Sequence, residues 1–374
     1  MHSVIVWLVS GAVMGVRGVI GRVRGAMGRL RRFWLVRQIL SVVNSLQFIN
    51  YFGQTLFLTG IISIAAFGIN TALPHFYVDT TLTVLTTFGY FCCVQIMINW
   101  LCLKFVSSKY IPFKHGGMPQ NIQIGQKVCA SICYDTPYGY DSGIQNGNHV
   151  NRKDATTVYV ATGISDENRN EPKRTAFPYF SWTPCLQCNR PRPPRCHHCP
   201  LCDQCVLKRD HHCFIVGACV GYRNQRHFVV FLFWCAVGTI YALIMEVPYA
   251  HEMIGSHVSL MDALFPIALV RAILGYISWY SAGLIVLCTL DFGFVLWSSV
   301  FLVAHFYTIL QGKTAFEDEH KLNVVDTRNA SQKIASVFGP LWLLNFLFPL
   351  HFIYDPIEDP IKWFYIRSWH QYFI

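Results

Sequence analysis

Charged side chains are scarce in this sequence. Asp, Glu, Lys and Arg together make up 13% of its 374 residues, whereas about 25% is usual for a soluble domain. Hydrophobic residues account for 53% of the chain. This balance excludes an ordinary soluble globular protein and predicts an integral membrane protein that also carries a soluble part.

Basic residues are absent from long stretches of the chain. Residues 38–103 contain no Lys or Arg, and 227–312 contain only Arg271. These gaps hold four apolar segments of about 20 residues or more, and each is long enough to cross a hydrocarbon core of roughly 30 Å as a helix. The predicted spans are 52–72, 81–103, 228–248 and 284–308, with Leu73-Pro74-His75 separating the first two.

The basic residues that remain fix the expected orientation. They concentrate in 1–37, 104–226 and 313–367. Because loops rich in Lys and Arg stay in the cytosol, we expect both termini and the segment between spans two and three to be cytosolic. The apolar stretch 262–281 carries Pro266 and Arg271, so we interpret it as a lumenal amphipathic or re-entrant piece rather than a fifth span.

Two segments have no clear fold signal. Residues 1–37 contain seven Arg and no acid, which fits a mobile arm, a basic helix on anionic lipid or a transit peptide. No nucleic-acid-binding motif accompanies this charge, so we expect no nucleic-acid partner. Residues 115–174 are rich in Gly, Asn, Asp, Ser and Gln, and this composition predicts a loop or a partly disordered insert.

The cysteines are concentrated in one short region. Of 15 in the chain, eight lie within 185–219, where Cys-x-x-Cys spacing recurs and histidines are interleaved. Disulfides are rare in the reducing cytosol, and two residues between thiolates let a turn bring both sulfurs to one metal. The pattern predicts zinc rather than an iron–sulfur centre or a chance cluster of core cysteines.

Eight cysteines and four histidines exceed the needs of two four-ligand sites. One thiol can therefore be left for chemistry, and Asp210, His211 and Cys213 are the candidates. The thiolate is the nucleophilic form of cysteine, an imidazole can take its proton, and a carboxylate can orient that imidazole. Spacing alone leaves open the alternative that Cys213 is another zinc ligand.

A motif of high specificity runs through this region. Its elements are Cys185 and Cys188, Arg192-Pro193-Pro194-Arg195, His198-Cys199, Cys202, Cys205, Asp210-His211-His212-Cys213, Cys219-Val220-Gly221, Asn224 and Phe228. Residues 185–228 thereby closely resemble the cysteine-rich domain of the DHHC family of protein S-acyltransferases, or palmitoyltransferases. The layout of four spans, with this domain between the second and the third, resembles that family as well.

The resemblance implies a role for each motif residue. One zinc ion would be held by Cys185, Cys188, His198 and Cys205, and a second by Cys199, Cys202, His212 and Cys219. Cys213 would be the nucleophile and acyl carrier, His211 its base and Asp210 the orienting acid. The residues implied to contact coenzyme A are Arg192, Arg195, His197, Lys208 and Arg209, although the four basic side chains could equally form a solvated or lipid-facing patch.

The expected fold is an all-α integral membrane protein of four transmembrane helices, with a cytosolic zinc-binding cysteine-rich domain between helices 2 and 3. The predicted order is a basic arm (1–50), helices 1 and 2 (51–103), a cytosolic loop (104–182), the zinc domain (183–227), helix 3 (228–248), a lumenal segment (249–283), helix 4 (284–308) and a cytosolic C-terminal region (309–374).

The resemblance also implies co-substrate, partners and location. We expect acyl-coenzyme A, in particular palmitoyl-coenzyme A, as co-substrate alongside two structural zinc ions. The expected acceptors are proteins with juxtamembrane cysteines, and the expected location is an endomembrane of the Golgi or the endoplasmic reticulum.

Several positions depart from the family pattern. Phe214 replaces Pro after Cys213, no Trp follows it, and Ala218 stands where Asn usually precedes Cys219. No Asp-Pro-Gly element lies in 106–112. The Thr-Thr-x-Glu motif is present only as Thr314-Ala315-Phe316-Glu317, and Lys333 takes the place of a usual Asn.

These departures leave an alternative function open. A zinc-stabilised membrane adaptor would need the metal ligands but not the acid, imidazole and thiol of Asp210, His211 and Cys213. The intact trio therefore favours an enzyme. A transporter would show charged residues within its spans, and only Glu246 and Asp291 meet that description.

Overall fold

The computed structural model describes residues 46–111, 155–160, 173–178, 182–185, 187–188, 190–255, 265–322, 324–347, 361 and 366–368. The predictions made for the arm before Leu46 and for most of the insert lie outside these residues. The chain divides into two compact units, 1–52 and 53–374. The described part of the first unit is the beginning of a helix, and the zinc domain belongs to the second.

Four helices are long and apolar enough to cross a membrane among the described residues. The first combines α1 (Leu46–Phe67), a π-helical turn (Gly68–Ala72) and α2 (Leu73–Phe76). The others are α3 (Asp79–Phe105), α4 (Gln225–Ile254) and α6 (Trp279–Gln311). The predicted fold class is confirmed, because the described chain is mostly helical and the cysteine-rich region lies between the second and third candidate spans.

The boundary between the first two spans differs from the prediction. Helical structure continues through Pro74 as far as Phe76, and α3 begins at Asp79, so the connection is shorter than expected. Pro74 lies in α2 just after the π-helical turn, at a point of the continuous helix where its ring removes one backbone N–H donor.

Among the described residues between the third and fourth spans there is one short helix, α5 (Phe265–Ile273). Nine residues rise only about 14 Å, which is too short to cross a bilayer. Pro266 again lies near the helix start, and Arg271 is in its last turn.

The membrane helices pack around α4, which contacts both α3 and α6. Phe57 of α1 meets Phe231 of α4 edge to face with ring centroids 5.3 Å apart, and it meets Phe294 of α6 at 5.9 Å. The Tyr241 hydroxyl of α4 donates to the Leu85 carbonyl of α3 at 2.8 Å. Aromatic packing and this hydrogen bond join the four long helices α1, α3, α4 and α6 into one core.

The zinc domain consists of three antiparallel hairpins of three-residue strands. They are β3 (Thr183–Cys185) with β4 (Arg190–Arg192), β5 (His197–Cys199) with β6 (Gln204–Val206), and β7 (His211–Cys213) with β8 (Ala218–Val220). Such short strands bury little apolar surface, so metal bound to this domain would contribute directly to its stability.

The insert contains one element that the sequence did not predict. Residues Ala155–Val160 (β1) pair antiparallel with Lys173–Pro178 (β2), where a loop or disorder was expected. The stretch alternates Thr, Val and Tyr (ATTVYV), residues that favour strands, but polar segments on either side obscured this signal.

Asn224 fastens the zinc domain to the end of α3. Its Nδ2 donates to the carbonyls of Leu103 at 3.2 Å and Cys219 at 3.0 Å, and its Oδ1 accepts from the Gly221 N–H at 2.8 Å. The Ser108 hydroxyl also donates to Oδ1 at 3.2 Å. The Asn224 side chain is buried, and both its NH2 group and its carbonyl oxygen are hydrogen-bonded. These bonds hold the hairpin of β7 and β8 close to the membrane helices.

The C-terminal region begins with α7 (Ala315–Glu319) directly after α6. Further elements are β9 (Val324–Asp326), α8 (Ala330–Phe338), α9 (Trp342–Leu347) and β10 (Ile366–Ser368), which pairs with β9. Capping boxes start both α7 and α8, at Thr314 and Asn329 respectively. These caps satisfy N–H groups that each helix start would leave unpaired.

Candidate metal centres and active site

The first predicted zinc set comes together in the structure. Cys185, Cys188, His198 and Cys205 each offer a ligand atom, and these atoms all lie within 4.8 Å of one another. His198 and Cys205 are direct partners across the hairpin of β5 and β6. The Cys188 Sγ is 3.3 Å from His198 Nδ1 and 3.7 Å from Cys205 Sγ.

The second predicted set converges in the same way. Its members are Cys199, Cys202, His212 and Cys219. His212 and Cys219 are direct partners across the hairpin of β7 and β8. The His212 Nδ1 is 3.3 Å from Cys202 Sγ, 3.6 Å from Cys199 Sγ and 3.7 Å from Cys219 Sγ.

Strand geometry explains how one hairpin serves both sites. Successive side chains of a strand point to opposite faces. His198 and Cys199 are neighbours in β5, so the first contributes to one ligand set and the second to the other. The interleaved order of ligands in the sequence follows from this alternation.

The ligand spacing fits zinc. Tetrahedral coordination with Zn–S of about 2.3 Å and Zn–N of about 2.0–2.1 Å places neighbouring ligand atoms roughly 3.5–3.8 Å apart. The measured separations of 3.3–3.7 Å lie close to that range. The two clusters are therefore compatible with two four-ligand zinc ions, as the sequence predicted.

Cys213 belongs to neither ligand set. It lies two residues after His211 in β7, with the zinc-set residue His212 between them. Strand alternation therefore places His211 and Cys213 on one face and His212 on the other. The same three-residue strand thus separates a metal ligand from a possible base and nucleophile.

Asp210 fixes the orientation of His211. Its Oδ2 accepts a hydrogen bond from His211 Nδ1 at 2.8 Å, and its Oδ1 accepts from the backbone N–H of Ala315 at 2.6 Å. The carboxylate side chain is fully buried, whereas the imidazole of His211 is 28% exposed. A proton held on Nδ1 leaves Nε2 of His211 available for a reaction partner.

The electrostatics of the pair favour charge on both members. Burial acts to raise the pKa of Asp210, but the nearby imidazoles of His305 and His211 and the Ala315 N–H outweigh it and lower the pKa to about 2. Burial acts to lower the pKa of His211, but hydrogen bonds with Asp210 and Cys213 raise it to about 9. The imidazole of His211 therefore interacts with both the carboxylate of Asp210 and the thiol of Cys213.

Cys213 also packs against the membrane helices. It is 6% exposed and belongs to an apolar cluster with Phe57 of α1, Trp100 of α3 and Phe228 of α4. The Trp100 indole N–H donates to the Ile215 carbonyl at 3.2 Å, just beyond the cysteine. Although no Trp follows Cys213 in the sequence, the second span supplies one to the same loop.

Arg195, one of the predicted coenzyme A contacts, forms a buried ion pair with Glu317. Its Nε and Nη2 donate to the two carboxylate oxygens of Glu317 at 2.6 and 2.7 Å, and Nη2 also donates to the Gly312 carbonyl at 3.1 Å. Both side chains are almost completely buried. The Nε and Nη2 edge of the guanidinium is therefore occupied by Glu317, and a contact of Arg195 with coenzyme A stays a prediction.

Two other residues of that prediction, His197 and Arg209, lie against Phe316, and Arg192 lies beside His197. The His197 ring lies 4.2 Å from the Phe316 ring, and Arg192 Nη1 is 3.4 Å from His197 Nδ1. The Arg209 guanidinium lies 5.9 Å from the same phenyl ring. Arg192, His197 and Lys208 are buried and Arg209 is half-buried, so the group is less open than a surface patch. Their contact with coenzyme A stays a prediction.

Together these features define an integral membrane protein whose two-site zinc domain carries an Asp–His–Cys group against its spans. Residues 179–322 match the family model described as DHHC palmitoyltransferase. This part of the chain is therefore similar to the DHHC palmitoyltransferase domain, and the resemblance first seen in its motif is confirmed.

Two relatives illustrate the extent of the similarity. The chain is 31% identical to the probable protein S-acyltransferase 12 of Arabidopsis thaliana over 166 residues, which cover 43% of this chain and 52% of the relative. It is 29% identical to the probable palmitoyltransferase ZDHHC24 of Homo sapiens over 180 residues, which cover 47% of this chain and 61% of the relative.

Identity is higher where the alignment is confined to a short stretch. It reaches 53% over 57 residues shared with the palmitoyltransferase ZDHHC16 of Bos taurus, 15% of either chain. The first three relatives are matched over 52%, 26% and 61% of their own length.

Proposed function

We propose that this chain is a protein S-acyltransferase. It takes a long-chain acyl group, palmitoyl in particular, from acyl-coenzyme A onto Cys213 and passes it to cysteines of membrane-proximal proteins. The observation that carries the proposal is the position of Cys213, which lies outside both zinc sets and beside His211, whose Nδ1 is held by Asp210 at 2.8 Å.

The chemistry requires two successive displacements at one carbonyl carbon. His211 takes the proton of the Cys213 thiol, and the thiolate attacks the thioester carbon of acyl-coenzyme A. The bond from carbonyl carbon to coenzyme A sulfur breaks as the new thioester forms, and the leaving thiolate is protonated by His211. The acceptor cysteine then gives its proton to His211, attacks the acyl-Cys213 carbon and releases the Cys213 thiolate.

An apolar cavity among the membrane helices supports an acyl substrate. Residues of α1, the π-helical turn, α3 and α4 line it, among them Ile61, Ile69, Cys92, Ile96 and Gly238. Ile61 and Ile96 each lie one helical turn from residues of the cluster that contains Cys213, namely Phe57 and Trp100. A chain of about 16 carbons attached to Cys213 would therefore find apolar walls one turn away.

The remaining proposals follow from charge and family. We place the zinc domain and both termini in the cytosol, because the basic residues are concentrated there. Two zinc ions would hold the short hairpins rigid. His211 lies outside both zinc ligand sets, so its imidazole would be available to accept and donate protons. We also propose that the protein lies in an endomembrane of the Golgi or the endoplasmic reticulum. Its acceptors would be proteins with juxtamembrane cysteines.

A labelling experiment tests the nucleophile. Protein expressed with an alkyne analogue of palmitate is examined by click chemistry with and without hydroxylamine, for the parent, Cys213→Ser and the control Cys288→Ser. We expect hydroxylamine-sensitive label in the parent and control and none in Cys213→Ser, with zinc content unchanged. Undiminished label in Cys213→Ser rules out this nucleophile.

A rate measurement separates an enzyme from the adaptor alternative. Purified protein in detergent is mixed with palmitoyl-coenzyme A, and a single turnover is followed for the parent and for Cys213→Ala. A parent no faster than Cys213→Ala supports the adaptor. A faster parent, slowed by more than about tenfold in His211→Ala, supports the base assignment, since a positioned general base contributes about 10²–10⁴ in rate.

A further inference from the structure

We infer that His305, a residue of the fourth membrane helix, is a positioning residue for the Asp210–His211 pair. The inference rests on the proposed function and adds a fourth side chain to the site. His305 Nδ1 lies 3.5 Å from Asp210 Oδ2, the same oxygen that His211 Nδ1 reaches at 2.8 Å. Two imidazoles thus face one carboxylate oxygen.

The buried setting of His305 argues for a use of its nitrogen. The residue is 4% exposed, and its Nδ1 has no hydrogen-bond partner within the part of the chain that the structure describes. A polar nitrogen enclosed in apolar surroundings is costly unless it interacts with a partner. The partner that faces it here is the carboxylate of Asp210, which is itself fully buried.

Aromatic packing fixes the ring in this position. The His305 ring meets Phe228 edge to face at 4.8 Å, and the His211 ring meets the same Phe228 at 4.8 Å. The two imidazole centroids are 5.4 Å apart. Phe228 therefore supports both imidazoles, and neither can rotate far without losing contact with it.

The consequence concerns the orientation of Asp210. The Ala315 N–H holds Oδ1 at 2.6 Å, while Oδ2 is shared by His211 and His305. With both oxygens engaged, the carboxylate plane is fixed and His211 is kept in the tautomer that has its proton on Nδ1. The fourth span thus sets the base geometry directly through His305 and through Ala315, which follows shortly after the end of α6.

Substitutions at His305 can separate its nitrogen from its ring. His305→Phe keeps an aromatic ring against Phe228 but removes the N–H group. His305→Asn loses the ring but keeps an N–H donor at the position of Nδ1, because both atoms are bonded to Cγ. His305→Gln carries its amide one carbon further and serves as the matched control with a displaced donor.

The experiment measures single-turnover acylation by palmitoyl-coenzyme A, thermal midpoint and zinc content for these variants, each alone and combined with Asp210→Asn. We expect His305→Phe and His305→Gln to be about tenfold slower than the parent, since small misplacements of catalytic groups reduce rates strongly. His305→Asn should stay within about threefold of the parent. In the Asp210→Asn background, His305→Phe should slow acylation no further.

Several results would overturn the inference. If His305→Phe acylates at the parent rate, His305 does not act on the pair. The same conclusion follows if His305→Phe slows Asp210→Asn by the same factor by which it slows the parent. A loss of zinc in His305→Phe would assign it to a metal site instead, since Asp210, His211 and His305 offer ligand atoms within 4.8 Å of one another. If the parent shows no acylation, the proposed function is refuted. The contact between Asp210 and His305 can still be tested in that case, because additive effects of Asp210→Asn and His305→Phe on the thermal midpoint would refute it.

Discussion

The buried ion pair between Arg195 and Glu317 makes a sharp prediction about stability. Two charge-assisted hydrogen bonds of 2.6 and 2.7 Å join side chains that are 1% and 0% exposed. Replacing Glu317 by Gln leaves the guanidinium without its counter-charge in a site closed to water. Removing one partner of such a pair costs about 3–5 kcal/mol, and we expect Glu317→Gln to lower the stability of the domain by that amount.

The pair also links stability to the proposed reaction. The Glu317 carboxylate accepts from the Thr314 N–H at 2.9 Å, and the next residue, Ala315, donates its N–H to Asp210. Loosening the start of α7 therefore releases one hydrogen bond from the Asp210 carboxylate. We expect Glu317→Gln to acylate more slowly than the parent even at temperatures where it stays folded.

Thermal unfolding of the detergent-purified protein is the primary assay, with Glu319→Gln as the matched control. Glu319 lies in the same helix and is exposed, so its amide variant should change stability by less than about 0.5 kcal/mol. Arg195→Lys keeps the charge but loses the planar fork and should also be destabilised. If Arg195→Lys instead raises the KM for palmitoyl-coenzyme A and keeps the parent midpoint, Arg195 binds the co-substrate and the structural assignment is refuted.

Three further predictions follow from other sites. Cys202→Ala should lose zinc and stability while Cys213→Ser keeps about two zinc ions per chain, as measured by metal analysis, and full zinc content in Cys202→Ala would contradict the ligand sets. Gly217→Ala should lower the thermal midpoint because φ is +72° there and a Cβ would overlap the Gln54 amide, whereas Gly283→Ala, with open space around it, should not lower it. Glu246→Met and Asp291→Leu should each raise the thermal midpoint, corresponding to about 1–3 kcal/mol in the free energy of unfolding. Both carboxylates are fully buried and lack hydrogen-bond partners among the described residues. A lower midpoint would show that these acids have a partner or a ligand.

Local patterns in the sequence were sufficient to predict the spans and to identify the cysteine-rich region as zinc-binding. A run without Lys or Arg identifies a membrane helix because the cost of burying charge acts on every residue of the span. The Cys-x-x-Cys pairs identify zinc ligands because the turn between them is short. Which ligands share an ion followed from the family resemblance, and the hairpin registers of His198 with Cys205 and His212 with Cys219 agree with it.

Contacts between distant segments could not be predicted in this way. Arg195 pairs with Glu317, and Asp210 meets Ala315 and His305, across more than 90 residues of sequence. Nothing in the local sequence of Arg195 distinguishes a buried partner for a carboxylate from a ligand for a phosphate. The signal that could have found His305 is its place near the C-terminal end of an apolar span, where an imidazole is costly without a partner.

The departures from the family pattern gain a physical meaning once these contacts are known. Ala315 lacks the hydroxyl of the usual Thr, yet its backbone N–H donates to Asp210 at 2.6 Å, so the carboxylate oxygen still has a donor. Lys333, in place of the usual Asn, donates its ammonium to the Leu310 carbonyl at 3.0 Å near the end of α6, where a positive charge is favourable. Trp100 supplies an aromatic ring to the loop beyond Cys213. The Ala315 N–H, the Lys333 ammonium and the Trp100 indole thus provide contacts at the positions where the family motifs are altered. The altered motifs therefore do not by themselves argue against catalysis.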